Sequence, residues 1–329
     1  MVKTDLLTFE AFPERVFLEG FDDEALAVLG MFMARVSEGG VGDAIYRVVS
    51  CGGGGSRRSA PGVMLRSRRP WRRYVRGDSE DLIVMPGGRV RFASGCSEAA
   101  VEWKDGGAVD RFVATSLLET ALIHGLAMSG CVVNHAAALE FGGAELLVVG
   151  PSRAGKSTLC AAALAAGGIV VSDDSVILGF DEDVVPAAGA LRRDLWLRDG
   201  SVELLPERLR AQLWETESFG ERRWGLGRAA FPKLFKTSVR PQAIVLLHRD
   251  LRIREFALRR VSSADGLAGL LLASSPLFLS GRYPVERERC LPALMALVNG
   301  APCFEVRMGK TLVVDPVATI GRLVEGVLS

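Results

Sequence analysis

Leu146-Leu-Val-Val-Gly150-Pro-Ser-Arg-Ala-Gly155-Lys156-Ser157-Thr158-Leu-Cys-Ala-Ala-Ala163 decides how this chain is read. An apolar run enters a turn that matches GxxxxGK[ST] at every constrained position, and an alanine-rich helical pattern leaves it. The pattern predicts a strand, a phosphate loop and a helix. Successive main-chain N–H groups of such a loop, with the helix N-terminus, form a cradle for anions. Lys156 brings a point charge to the outer phosphates, and the Ser157 hydroxyl suits a magnesium ion. Gly150, Ser152, Arg153, Ala154, Gly155, Lys156, Ser157 and Thr158 are therefore the candidate nucleotide-binding residues, with ATP and Mg2+ as the expected cofactors.

A phosphate loop needs an acid nearby to hold the metal. Ser172-Asp173-Asp174 closes the apolar run Ile169-Val-Val171, 17 residues after Lys156, a distance that fits one helix and a return to a parallel strand. Two adjacent acids permit two jobs, one holding Mg2+ and the other accepting a proton from an attacking hydroxyl. His135 stands 21 residues before Lys156, on the strand that precedes the loop. Alone, a histidine on an apolar strand reads as a core residue, and His124 and His248 are read that way outright.

Asn134-His135-Ala-Ala, Gly150-Pro-Ser-Arg-Ala-Gly-Lys-Ser-Thr-Leu and Gly167-Gly-Ile-Val-Val-Ser-Asp173-Asp174 together resemble the bacterial HPr kinase/phosphorylase family, most closely its HPr-kinase-related branch. The resemblance covers residues 130–180 well and 240–315 in texture only. It implies an α/β fold with a P-loop kinase core related to phosphoenolpyruvate carboxykinase. By position it implies Lys156 on phosphates, Ser157 and Asp174 at the metal, Asp173 as base toward a substrate hydroxyl and His135 assisting, although either aspartate could be the base. The implied activity is Mg-ATP-dependent phosphorylation of a hydroxyl, expected to be serine, on a small protein or peptide. The family forms oligomers, so a homo-oligomer is a further implication.

The chain also departs from that pattern. Arg153 stands where family members have glycine, and Thr158 where the bifunctional enzymes have glutamate. A downstream Glu-x-Arg-Gly-Leu-Gly signature is only echoed by Glu221-Arg-Arg-Trp-Gly-Leu-Gly227, 48 residues past Asp173. These departures motivate an alternative, a nucleotide-binding regulatory module without phosphotransfer. An ABC-type ATPase is excluded, because Leu279-Ser280-Gly281 continues as Arg-Tyr-Pro and no acidic strand end follows.

Elsewhere the periodicity predicts a helix over 23–36, short strands between Val63 and Trp103, and a helix over 111–129 with Ala114, Leu118, Ala121, Leu122 and Leu126 on one face. Strands are predicted at Val176–Phe180 and Ala243–Leu247, helices at 263–273, at 287–298 and after Pro316, and a closing hairpin of Ala301–Val306 with Thr311–Val314. A change of texture divides the chain into a smaller α+β N-terminal domain, 1–110, and a P-loop domain, 111–329. Lys+Arg is 40 and Asp+Glu is 39, so no bulk attraction to nucleic acid or anionic lipid is expected. Eight arginines with no acid between Arg57 and Arg76, interleaved with Trp71 and Tyr74, read as a solvated face, with a patch for an acidic peptide or nucleic acid as the alternative. MVKTDLLTFEAF carries acids where a secretory leader needs an apolar core, no apolar run reaches membrane-spanning length, and the six cysteines form no CxxC. A soluble cytoplasmic protein with reduced thiols is the expectation.

Overall fold

The computed structural model describes residues 4–9, 12, 15–19, 32, 34–38, 46–51, 63–65, 73–76, 81–85, 88–92, 95–103, 111–218, 221–250, 252–274 and 284–329. By its internal contacts the chain forms two units, Met1–Cys131 with Ser280–Cys290, and Val132–Leu279 with Leu291–Ser329. The fold is mixed α/β.

In the first unit, short runs bounded by turn residues form β1 (Thr4–Phe9), β2 (Arg15–Glu19), β3 (Ala34–Glu38), β4 (Tyr46–Cys51), β5 (Val63–Leu65), β6 (Arg73–Arg76), β7 (Asp81–Met85), β8 (Gly88–Phe92) and β9 (Glu98–Trp103). They make one sheet in the order β3-β1-β2-β4-β9-β8-β7-β6-β5. The β2–β4 and β4–β9 pairs are parallel. Helix α1 (Arg111–Met128) packs on β4, β8 and β9, which is why the contacts assign it to this unit and not to the P-loop domain where the sequence placed it. Leu117 is as fully buried as Leu118, Ala121, Leu122 and Leu126, so the apolar surface is wider than one stripe.

The expected helix over 23–36 is corrected at its end. Ala34–Glu38 is a strand, held antiparallel to β1 by pairs such as Val36 with Leu7, and sheet pairing overrides the local helical pattern. The remainder of that helix falls outside the described residues, as do the glycine-rich loop after Cys51 and the arginine-rich stretch apart from β5 and β6.

His124, read as a core residue, is one, whereas His248, read the same way, is exposed and that reading is corrected. The Nδ1 of His124 lies 2.6 Å from the Tyr46 hydroxyl and its Nε2 lies 3.1 Å from Glu286 Oε1, which also accepts the Gly95 N–H at 2.9 Å. The ring also packs against Phe92.

The second unit begins with the hairpin that the Gly142-Gly143 turn predicts, β10 (Val132–Phe141) and β11 (Ala144–Val149). The GxxxxGKS loop follows, then α2 (Lys156–Ala165), β12 (Ile169–Ser172), β13 (Ser175–Phe180), β14 (Pro186–Ala190) and β15 (Asp194–Leu197). Short helices α3 (Asp199–Val202) and α4 (Glu207–Arg210) lead to β16 (Trp214–Ser218), β17 (Glu221–Gly227), β18 (Ser238–Val239), β19 (Ala243–Arg249) and β20 (Ala257–Val261). Helix α5 (Ser263–Ala273), helix α6 (Pro284–Gly300, whose residues through Cys290 belong to the first unit), strand β21 (Cys303–Met308) and helices α7 (Thr311–Val314) and α8 (Pro316–Leu328) complete the chain.

The main sheet runs β18-β14-β13-β10-β11-β19-β21-β20, with β12 also on β10, while β15-β17-β16 form a separate sheet. Between them α2 and α8 cover Leu139, Leu146, Val148, Val170 and Val245. The three consecutive alanines of α2, all buried, let the helix lie close to the sheet.

Two expectations are corrected here. Strand β12 has the direction of β11 but does not neighbour it, because β10 lies between and pairs antiparallel with both. Thr311–Val314 is a short helix and makes no hairpin with β21. The Thr311 N–H is taken by the Arg254 carbonyl, and Leu312 is buried in the core that includes the P-loop helix.

Candidate functional site

The sheet register brings the sequence-predicted residues together. Ala136 pairs with Val149, so β10 carries His135 to the row where β11 gives way to Gly150. On the other edge of β10, β12 pairs with Ala138–Glu140 and β13 with Val132–His135. The two strands thus run along the same edge of β10, with a register shift between Ala138 and Leu139 and a break in the pairing at Asp173–Asp174. Side chains alternate along a strand, so His135 shares a face with Ala137 and Leu139, which pack with the P-loop helix.

The loop is tightly seated. A Cβ at Gly150 would stand 2.4 Å from the Leu247 carbonyl oxygen, so the main chain can pass β19 only with glycine here. Gly155 at the N-cap of α2 has φ 109°, and Arg153 has φ 67°. Arg153 therefore adopts the left-handed conformation that glycine would supply. Its residue is exposed with Pro151 and Ser152, while Ala154 packs inward. Lys156 Nζ donates to the carbonyls of Gly150 at 2.6 Å and Pro151 at 3.2 Å. Burial lowers its pKa to about 8 against the opposing pull of Asp174 and Asp173. The Thr158 hydroxyl lies 3.1 Å from Ser201 Oγ on α3.

The aspartates differ sharply. Asp173 is 3% exposed. Its Oδ1 accepts the Trp196 N–H at 3.4 Å, and its Oδ2 is buried with no hydrogen-bond partner. Burial, then the neighbouring Asp174 charge, pushes its pKa up to about 7, although hydrogen bonds from Ser157 and Trp196 pull the other way. Asp174 stands at the surface of the same turn, with Oδ1 2.8 Å from His135 Nδ1 and side-chain exposures of 45% for the histidine and 43% for the aspartate. Surrounding protein atoms displace part of its hydration, which would raise its pKa, but the bond and charge of His135, then Arg192 and Lys156, outweigh this and hold the carboxyl well below its usual range. One carboxylate is thus kept ionised while its neighbour holds a proton near neutrality, the split that acid–base chemistry requires.

Sequence reasoning missed Trp196 and gave Arg192 no definite role. The contribution of Trp196 is a main-chain N–H, which residue type cannot reveal. Its ring meets Trp214 edge-on at 5.9 Å, and Trp214, 40% exposed, lies over Gly225, where a Cβ would stand 2.2 Å from the indole. This explains the glycine in Trp224-Gly-Leu-Gly227.

Among the described residues, no cluster of three or more His, Cys, Asp or Glu could form an all-protein metal cage. None of the described helices is long and apolar enough to cross a membrane. No protein-family model matches the chain, and no curated protein matches it.

Proposed function

We propose that the chain is a Mg-ATP-dependent kinase of the HPr-kinase-like type that phosphorylates a hydroxyl, that of serine, on a small protein or peptide in the cytoplasm. The observation that carries this reading is Asp173, a buried carboxylate with an unpartnered oxygen beside Ser157 and the GxxxxGKS loop. An orphaned buried oxygen is costly, and natural proteins retain one where a ligand or proton completes it.

The residues fit a divalent ion that is held mainly by phosphate oxygens and water, the arrangement Mg2+ favours. Ser157 and the ionised Asp174 would supply the protein ligands. Bound there, the ion would neutralise charge on the β- and γ-phosphate oxygens. The loop amides and Lys156, released from the Gly150 and Pro151 carbonyls, would hold the phosphates. Asp173 would take the proton of the acceptor hydroxyl as its oxygen bonds the γ-phosphorus and ADP departs. A pKa near neutrality suits that exchange. His135 would keep Asp174 oriented and balance its charge. The rate would come from positioning and electrostatics, with no covalent enzyme intermediate.

The test is transfer of labelled γ-phosphate from Mg-ATP into the proteins and peptides of a source-cell lysate, with Asp173→Asn alongside. A discrete labelled band that disappears in the variant is expected. ATP binding that Lys156→Ala abolishes, without any Asp173-dependent label, would replace the kinase with a nucleotide-binding regulatory module.

A further inference from the structure

Strand β17 runs out of the Trp224-Gly-Leu-Gly227 segment into a short 3-10 turn, and the first residue of that turn, Arg228, is only 7% exposed. Its guanidinium is spread over three main-chain carbonyls. Nε donates to Arg193 at 2.7 Å, Nη1 to Lys236 at 2.5 Å and Nη2 to Val171. The Phe235 ring lies beside it, 5.2 Å from ring centroid to Cζ.

The three acceptors belong to the segments that hold Asp173. Val171 is in β12, two residues before it. Arg193 leads into β15, whose Trp196 N–H holds Asp173 Oδ1, and follows Arg192, whose charge acts on Asp174. Lys236 closes the third side, since its own N–H returns to the Val170 carbonyl at 3.3 Å. A planar fork with donors in set directions can join three such segments, which a lysine ammonium on a flexible stem cannot reproduce.

We propose that Arg228 is a positioning residue of this site. It clamps the main chain on both sides of the Asp173 carboxylate and so sets where the unpartnered Oδ2 points. The clamp rests on the kinase reading for its catalytic meaning, but its mechanical part can be measured without turnover. It gives a role to the end of the Glu221–Gly227 segment, which the nucleotide site itself leaves unused.

The experiment compares the native chain with Arg228→Lys, which keeps the charge and loses the fork. Calorimetric affinity for Mg-ATP should stay within about threefold, whereas phosphate release per bound nucleotide should fall roughly 10–100-fold at unchanged KM, the scale of a small misplacement of a reacting group. Amide exchange should quicken over 170–175 and 193–197 and stay native over 150–158. An equal rate per bound nucleotide, or faster exchange spread evenly along the chain, would overturn the clamp. Phe235→Leu removes the ring and leaves the hydrogen bonds. It should show the same split at smaller amplitude and serves if Arg228→Lys does not fold. If the native chain binds ATP but neither releases nor transfers phosphate, the kinase reading falls. The exchange pattern then decides the clamp alone, localised quickening upholding it and uniform quickening overturning it.

Discussion

Each unit contains one histidine paired with a carboxylate, in opposite surroundings. His124 and Glu286 are 1% and 2% exposed at their side chains, and Tyr46 and the Gly95 N–H complete the network. His135 and Asp174 are nearly half exposed, on the turn beside the phosphate loop. The residue types are nearly the same, so the chemistry of the pair cannot tell them apart. What differs is the water. A buried pair has paid its desolvation and must be complete, because removing one partner strands the other. An exposed pair contributes little to stability and keeps its charge available to whatever binds there.

The sharpest way to break that contrast is Glu286→Ala. It should destabilise the first unit by about 3–5 kcal/mol, seen as a large loss of melting temperature, while any chain still folded binds Mg-ATP normally. A small loss would mean that the buried network is not the structural one. Next in size, Asp173→Asn should cut phosphate transfer on the order of 100–1000-fold with ATP affinity preserved, the usual range for a positioned proton acceptor. Asp174→Asn should instead weaken the dependence on Mg2+, and the reverse pattern would exchange the two roles.

Asp173 also predicts a pH effect in the absence of nucleotide and metal. Its folded pKa of about 7 exceeds the unfolded value of 3.8, so the folded chain keeps a proton that the unfolded chain releases. Stability from this group is full below about pH 4 and is lost as pH rises to about 7, by up to roughly 4 kcal/mol. Asp173→Asn escapes that loss. Its melting temperature should therefore exceed the native one by several degrees at pH 8, and the gap should close toward pH 4. Equal melting curves at pH 8 would show Asp173 to be a comfortable carboxylate. The smallest effect is expected for His135→Asn, with stability changed by less than about 1 kcal/mol. Phosphate transfer should nonetheless fall about tenfold, with a raised Mg2+ requirement.

Much of this site was legible because its signals are local. The apolar run before Gly150, the Lys-Ser pair and the alanine-rich helix each follow from a few adjacent residues. So did the placement of His124 in a core. The parts that were not legible depend on residues far apart in the chain. Nothing near Ile169 says that β12 pairs with β10, or that β13 continues along the same edge. The run Thr311–Val314 is rich in β-branched types, yet it turns as a helix that buries Leu312 beside the P-loop helix and gives its first N–H to Arg254. Arg228 looks like any surface arginine until the three carbonyls around it are seen. Arg153 was legible as an oddity, and its φ of 67° shows how the loop accommodates it.

The ladder on either side of Asp173–Asp174 limits how this site can evolve. Ser172 is pinned opposite Ala138 and Ser175 opposite His135, both on β10. The backbone pairing at those anchors does not depend on the side chains between them, whose identities are set instead by the chemistry proposed for Asp173 and Asp174. Their number cannot change easily. One residue inserted or deleted there must either bulge out or slide a whole strand by one position, which moves every side chain of that strand to the opposite face of the sheet and disrupts its packing. Lineages descending from this chain should therefore show almost no length variation between Ser172 and Ser175, even where nearby surface loops lengthen freely.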